Sequence, residues 1–432
     1  MVTVGGASEE SGSGMPIDER SWVGAGEEQQ PGSHALLREL NERLILDRLR
    51  ASGTQSRAQL AQASGLTKPT VATALASLEV AGLVLPAGMT EGQQGPAAFR
   101  YQANQQAGFT AAIDIGRSWI RISITDLGGL ELAYAEAPNR ARSAVGLVSD
   151  IGRLATSTAA SAGISWPDVV TTVVGSPGVF DEQADRVRFA VNLSGWGRRG
   201  LLTELRRALG AGVEIENDIN LAAVGEQTFG AARGMRDFIL LSVGTGVGMG
   251  IVLGGKLYRG FSGAAGEAGY LPVAVPQADP PSRMSGGGRS GIGPGRGFLE
   301  EATAANGFLR DARESGLTAA KHPKDVFDLA AAGNTIAGQV VDREAERLGQ
   351  AIAAAVALLD PQAVIISGGL GRNLEQMRPV LEETLRRTSP SQVPVLSSEL
   401  DELAVVRGAT ATAVPIAQRL LFERRMRTTP RG

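Results

Sequence analysis

The chain of 432 residues has no cysteine and only two histidines, His34 and His322. Without cysteine there is no disulfide, no thiol nucleophile, no thiolate-bound zinc and no iron–sulfur cluster. A Ser–His–Asp triad or a polyhistidine metal site would need one of the two histidines in the right place. Any general base is therefore expected to be a carboxylate. The opening residues, MVTVGGASEESGSG, lack the basic and apolar regions of a secretory signal. The longest uncharged apolar run, 238–255, is long enough to span a bilayer, but its six glycines and β-branched residues read as two strands around a turn. A cytoplasmic protein without a membrane partner is expected.

What is present is unevenly distributed. The net charge is only -3, yet residues 1–33 carry six acids against one base, and residues 34–103 carry seven bases against five acids. The first segment is rich in Gly, Ser and Glu and reads as a disordered acidic tail. From His34 apolar residues recur at helical spacing as far as Gly53. Ser56 and Gln59 then form a capping box for a short second helix ended by Gly65. Thr67 caps a third helix with Pro69 in its first turn and Val71, Leu75 and Leu78 facing inward. After Gly82 the period changes to two, so LVLPAG and AAFRYQA around the tip TEGQQGP read as a hairpin.

Three helices followed by a hairpin describe a winged helix-turn-helix over 34–103. In such a domain the third helix enters a major groove. Lys68, Thr70, Thr73 and Ser77 are the residues expected to face DNA, with Arg57 on a phosphate. The other reading of those residues is a solvated polar face or a protein contact.

Beyond a linker at 104–108 the architecture becomes α/β. FTAAIDIG (109–116) and WIRISITDL (119–127) form strand, turn, strand; DFILLSVGTG (237–246) and VGMGIVLGG (247–255) repeat the design. Two glycine-centred hairpins suggest a duplicated fold with two facing phosphate-binding turns, because glycine lets backbone amides approach phosphate closely. EIENDIN reads as a strand entering a helix N-terminus, where the helix dipole favours an ionised Asp218.

The motifs DIGRSWIRISITD (114–126), VVGSPGVFD (173–181), NLSGW (192–196), EIENDINLAAVGE (214–226), SVGTGVGMGIVLGG (242–255), GAAGEAGY (263–270), GFLEEA (297–302) and VIISGGLG (364–371), in this order, resemble the ROK family (repressor, open reading frame, kinase) in its winged-helix regulator subgroup. The resemblance implies a two-lobed actin/hexokinase-like domain over 109–432. Its small lobe would span about 109–216 plus a C-terminal helix at about 408–425, and its large lobe about 217–407. It implies that Asn192, Asn217, Asp218, Glu267 and Glu300 bind a sugar, with Asp218 as the catalytic base if phosphotransfer is retained. Gly116, Ser118, Gly244, Thr245, Gly246, Gly368 and Gly369 match nucleotide-binding turns.

Two departures shift the reading from enzyme to regulator. Where the family's kinases read GGTK, this chain reads Gly116, Arg117, Ser118, Trp119, so a second glycine has become an arginine in a close-contact turn. The family's zinc site is also gone: its histidine position is Tyr270, and a stretch without cysteine runs over 280–300. No zinc is expected, and Tyr270 is a candidate donor to a sugar hydroxyl. The expected function is a sugar-responsive DNA-binding transcriptional regulator, a repressor, with no required cofactor. Its partners are operator DNA, a sugar or sugar phosphate, and further copies of itself in a homodimer or homotetramer. The alternative is an ATP-dependent sugar kinase, using ATP and Mg, that carries a DNA-binding domain. A regulator sensing a protein rather than a sugar is a third reading.

Overall fold

The computed structural model describes residues 34–89, 99–189, 193, 195–210, 212–272 and 297–428. The acidic segment 1–33, the hairpin tip, Asn192 and most of the stretch 280–300 lie outside the described residues.

The chain opens with α1 (His34–Ser52), β1 (Gln55–Ser56), α2 (Arg57–Ser64), α3 (Lys68–Val80), β2 (Val84–Met89) and β3 (Phe99–Ala103). Ser56 Oγ accepts from the Gln59 amide, and Gln59 Oε1 accepts in return from the Ser56 amide, closing the capping box at α2. Thr67 Oγ1 accepts from the Thr70 amide at the start of α3. Ile45, Leu46, Leu49, Leu60, Val71, Leu75 and Leu78 are buried in one small core. The strands pair in the order β1-β3-β2, a wing attached to a helix-turn-helix.

A single 3-10 turn, Gln105–Ala107, leads into the larger domain. There β4 (Phe109–Ile115), β5 (Trp119–Asp126), β6 (Glu131–Pro138), α4 (Ala144–Ser161), β7 (Val169–Ser176), β8 (Val179–Asp181), β9 (Arg186–Arg188), α5 (Leu201–Leu209), β10 (Val213–Asn217) and α6 (Asp218–Phe229) follow. The main sheet runs β10-β7-β4-β5-β6. The second half contains β11 (Phe238–Val243), β12 (Val247–Leu253), β13 (Lys256–Leu257), α7 (Phe298–Thr303), α8 (Ala305–Glu314), α9 (Pro323–Ala331) and α10 (Thr335–Leu359). It continues with β14 (Ala363–Ser367), α11 (Gly368–Gly371), α12 (Leu374–Thr388) and β15 (Val395–Ser397). Its sheet runs β13-β12-β11-β14-β15. In each sheet an antiparallel hairpin, β4/β5 or β11/β12, lies beside a parallel strand, β7 or β14, so the glycine-centred repeat in the sequence corresponds to a repeated sheet plan.

One element joins all of this. The last helix, α13 (Ala404–Thr428), packs on α6, β4 and β7, and its final turns enter the winged-helix core through Leu421, Phe422 and Met426. Arg425 holds the junction: its Nη1 donates to the carbonyls of Ala81 (3.0 Å) and Gly82 (3.3 Å), just past α3, and its Nη2 donates to that of Ala107 (2.6 Å) in the linker. Gln418 Nε2 adds a bond to the Leu127 carbonyl. The helix begins at Ala404, four residues before the Gly408 start expected from sequence, because Gly408 is a crossing point and not a helix end. A Cβ on Gly408 would lie 1.7 Å from the Leu221 carbonyl oxygen of α6, and one on Gly225 of α6 would lie 2.3 Å from that of Ala404. The two backbones touch where no side chain fits.

Gly408→Ala should therefore force α13 away from α6 and lower stability by about 1–3 kcal/mol, the usual cost of overpacking. Urea unfolding of the variant beside the parent chain measures it, as a lower midpoint at an unchanged slope.

Candidate functional site

The cleft between the two halves holds a cavity of about 260 Å³. Its floor is the junction of β10 and α6. Asn217 caps α6: its Oδ1 accepts from the amides of Ile219 (2.9 Å) and Asn220 (3.0 Å), and its Nδ2 donates to the Gly178 carbonyl (3.1 Å). That cap turns Asp218, the first residue of the helix, into the cavity. Glu267 and Glu300 reach the same space from the large lobe, and the turns at Gly116–Arg117 and Gly244–Gly246 line it as well.

Three acids here hold their protons more tightly than usual. Burial is the first cause in each case and lifts Asp218 to about 6, and both Asp114 and Glu267 to about 7. The Ile219 amide, bonded to Asp218 Oδ1 at 2.9 Å, holds Asp218 lowest. Asp218 thus loses its proton first, and its charge helps to keep Asp114 and Glu267 high. Glu300 adds to the shift of Glu267, while Arg121 and Arg188 pull Asp114 and Glu267 back down. At the helix N-terminus Asp218 is expected to be ionised; burial outweighs the backbone hydrogen bonds that favour its charge. Near pH 7 the cluster is still only partly ionised, able both to accept and to donate hydrogen bonds to hydroxyls.

Asn217, Asp218, Glu267, Glu300, Gly116, Gly244, Thr245 and Gly246 come together around one space. Asn217 is there in a different capacity from the one expected. Its amide oxygen is taken by the helix cap, so it has only an N–H left to offer a ligand. Ser118, Tyr270, Gly368 and Gly369 stand outside the cavity lining. The Ser118 carbonyl is bonded to the Asn139 amide, and Gly368, at φ +87°, backs onto the Val243 carbonyl. The Tyr270 ring meets Phe189 edge-on, with centroids 5.9 Å apart. Trp196 is fully buried and donates to Ser176 Oγ, a packing role.

Three contributors escaped the sequence reading. Asp114 sits at the end of β4, bonded by Arg121 at 3.2 Å; a carboxylate ending a buried strand beside a glycine turn was the available signal. Phe189, at φ +63°, lines the cavity in a backbone conformation bulky residues avoid. Arg188 lies over its ring at 5.7 Å. Nothing in the local sequence marks either.

Among the described residues no group of three or more His, Asp or Glu side chains is placed to hold a metal. The segment that replaces the family's zinc loop leaves and returns at one point. A Cβ on Gly297 would be 2.1 Å from the Gly269 carbonyl and 2.4 Å from Tyr270 Cα, so direct backbone packing joins its two ends.

On the winged helix, Lys68 and Thr73 are exposed and Thr70 is half-buried. Ser77 is not on the groove-facing side. It is only 8% exposed, because it follows Ala74 by three positions and adjoins Leu78 on the core edge of α3. Arg57 is exposed but engaged, donating to Tyr101 Oη and lying over that ring at 5.3 Å.

Profile comparison matches residues 110–415 to the ROK family and residues 38–84 to a winged helix-turn-helix DNA-binding domain. The chain belongs to the ROK family. Its ROK relatives include both kinases and repressors. The glucokinase of Thermotoga maritima is 33% identical over 255 residues, 55% of this chain and 77% of the relative. The xylose repressor of Caldicellulosiruptor bescii is 25% identical over 394 residues, 89% of this chain and 97% of the relative, a length that must take in winged-helix residues. The crystal structure of a ROK family transcriptional regulator, a homolog of the E. coli MLC protein, superposes with a TM-score of 0.70 at 22% identity, over 90% of this chain and 99% of that one. No helix among the described residues is long and apolar enough to cross a membrane.

The raised pKa values predict a pH dependence. Acids with folded-state values above their unfolded ones favour the fold when protonated, so this stabilisation is present below about pH 4 and is lost as pH rises through 6 to 7. Asp218→Asn removes part of the loss. Its melting temperature should exceed that of the parent chain at pH 7.5 and approach it at pH 4.5, as thermal melts at the two pH values will measure.

Proposed function

We propose that this chain is a sugar-responsive transcriptional repressor, binding operator DNA through its winged helix and a sugar in the cleft. The carrying observation is α13, one helix that lies against α6 beside the cleft acids and enters the winged-helix core beyond α3. Carboxylates suit a polyol because each accepts hydrogen bonds from neighbouring hydroxyls. Lys68, Thr70 and Thr73 would meet the major groove, and a homodimer would read two half-sites about one helical turn, or a multiple of it, apart. Movement of the lobes about a ligand is carried along α13 to the recognition helix. A coupling of about 1–3 kcal/mol changes occupancy roughly 5- to 150-fold.

One observation favours a second reading, a sugar kinase. Asp218 faces the cavity with a pKa near 6, suited to taking a proton from a hydroxyl at neutral pH. The second glycine turn would leave room for a nucleotide's phosphates, with Gly369 beside Gly244. The first does not, because Arg117 stands where a kinase's glycine would let phosphate approach.

Two measurements separate the readings. The double substitution Lys68→Ala with Thr70→Ala should weaken operator binding at least about tenfold, through lost phosphate and base contacts, and leave the thermal shift with sugars intact. An ADP-release assay across hexoses and N-acetylhexosamines should show no turnover. Robust turnover abolished by Asp218→Asn would establish the kinase.

A further inference from the structure

The ribbon β8/β9 ends on a strained residue. Val187 is buried in the core of the first half, and the alternation of a strand would send Phe189, two positions on, to the same side. It does not go there. Phe189 takes φ +63°, which ends the strand at Arg188 and places the side chain in the lining of the cleft cavity. Left-handed backbone is costly for a bulky residue, and glycine or asparagine would make the same bend with little strain. The ring itself is therefore what needs explaining.

The ring is supported on the side away from the cleft. The Arg188 guanidinium carbon lies 5.7 Å from its centroid, and the Tyr270 ring meets it at 5.9 Å with the two planes 62° apart. Arg188 is tied down in turn by Asp181 (3.7 Å) and by the Ser262 carbonyl (2.7 Å). Neither Arg188 nor Tyr270 lines the cavity, so the surface of the ring that they leave uncovered is the one that borders it. Pro177 and Val179 add apolar surface to the same space, which also holds Asp218, Glu267 and Glu300. Acids alone do not distinguish a cyclic sugar from an open-chain polyol, because both offer rows of hydroxyls. An aromatic surface does. A closed pyranose ring has hydroxyls around its edge and a flat patch of C–H groups on its face, and those weakly positive hydrogens suit the negative face of a π system.

We infer that Phe189 is the residue by which the cleft selects a closed pyranose ring, stacking on the C–H face of the sugar while Glu267 and Glu300 take its hydroxyls. The inference rests on the sugar-effector reading and names a specificity determinant within it. Tyr270 and Arg188 are positioning residues that act through Phe189, so Tyr270 has a part in the site without lining it. Backbone strain is kept at this position because it aims an aromatic surface that an unstrained residue would not supply.

Titration calorimetry on the full chain tests this with glucose, galactose, mannose and xylose beside their open-chain alditols, glucitol, galactitol, mannitol and xylitol. The tightest-binding pyranose should exceed its own alditol by at least about fivefold, within the range of an aromatic contact. Phe189→Tyr should keep that margin. Phe189→Leu, apolar but without a π face, should cut it at least about threefold. Phe189→Gly should do the same, and because glycine is at ease at this φ its unliganded melting curve should still show one cooperative transition. Glu267→Gln should weaken sugar and alditol alike, which reports on the hydroxyl contacts alone. Equal binding of a pyranose and its alditol by the parent chain, or a margin unchanged in both Phe189→Leu and Phe189→Gly, overturns the inference and leaves the sugar reading standing. Failure of every sugar and alditol to bind overturns both.

Discussion

The contact on which the molecule depends is the crossing of α6 and α13 at Gly225 and Gly408. The two helices approach until a Cβ on either glycine would collide with the other's carbonyl oxygen. Helices this close cannot slide independently, because packed interfaces switch between discrete arrangements and do not deform continuously. At one end of the pair Asn217 caps α6 and aims Asp218 into the cleft. At the other end α13 supplies Leu421, Phe422 and Met426 to the winged-helix core and Arg425 to the carbonyls that follow α3. The acid-lined cleft and the winged helix are thereby fastened to the same pair of helices.

The cleft carries a cost that its function explains. Asp218 and Glu267 line the cavity with raised pKa values, Asp114 is buried within reach of the Asp218 charge, and burial is the main reason each is hard to ionise. A protein selected for stability alone would not keep them. Partly protonated acids are well matched to a polyol, whose hydroxyls both donate and accept, and a bound sugar would restore the hydrogen bonding that desolvation removes. A ligand bridging the lobes would stabilise their closed arrangement, which is the differential interaction a ligand needs in order to shift a conformational equilibrium.

Local chemistry was legible in the sequence. Ser56 with Gln59, Thr67 with Pro69, and the glycine-centred hairpins each announce their structure within a few residues, and the structure places them there. The assembly of the acids was legible only through the order of the ROK motifs, since Asp218, Glu267 and Glu300 are far apart in the chain. What escaped depends on long-range packing. Ser77 has a groove-facing composition, yet the core edge of α3 covers it. Asn217 has the acceptor a sugar would use, yet the helix it begins claims that acceptor. Gly408 looks like a helix boundary until α6 is placed against it. Arg425 reads as one more basic residue in a terminal helix, and only its reach to Ala81, Gly82 and Ala107 gives it a role.

The coupling proposed for this chain requires that occupancy of the cleft be felt at the recognition helix through α13. Hydrogen–deuterium exchange measures this directly, on the full chain with and without a saturating amount of whichever sugar or sugar phosphate gives the largest thermal shift. Altered protection is expected in three places at once: the cleft-lining turns, α13 along its length, and α3 with the residues that follow it. Protection that changes in the cleft alone, with α13 and the winged helix exchanging as before, would contradict it.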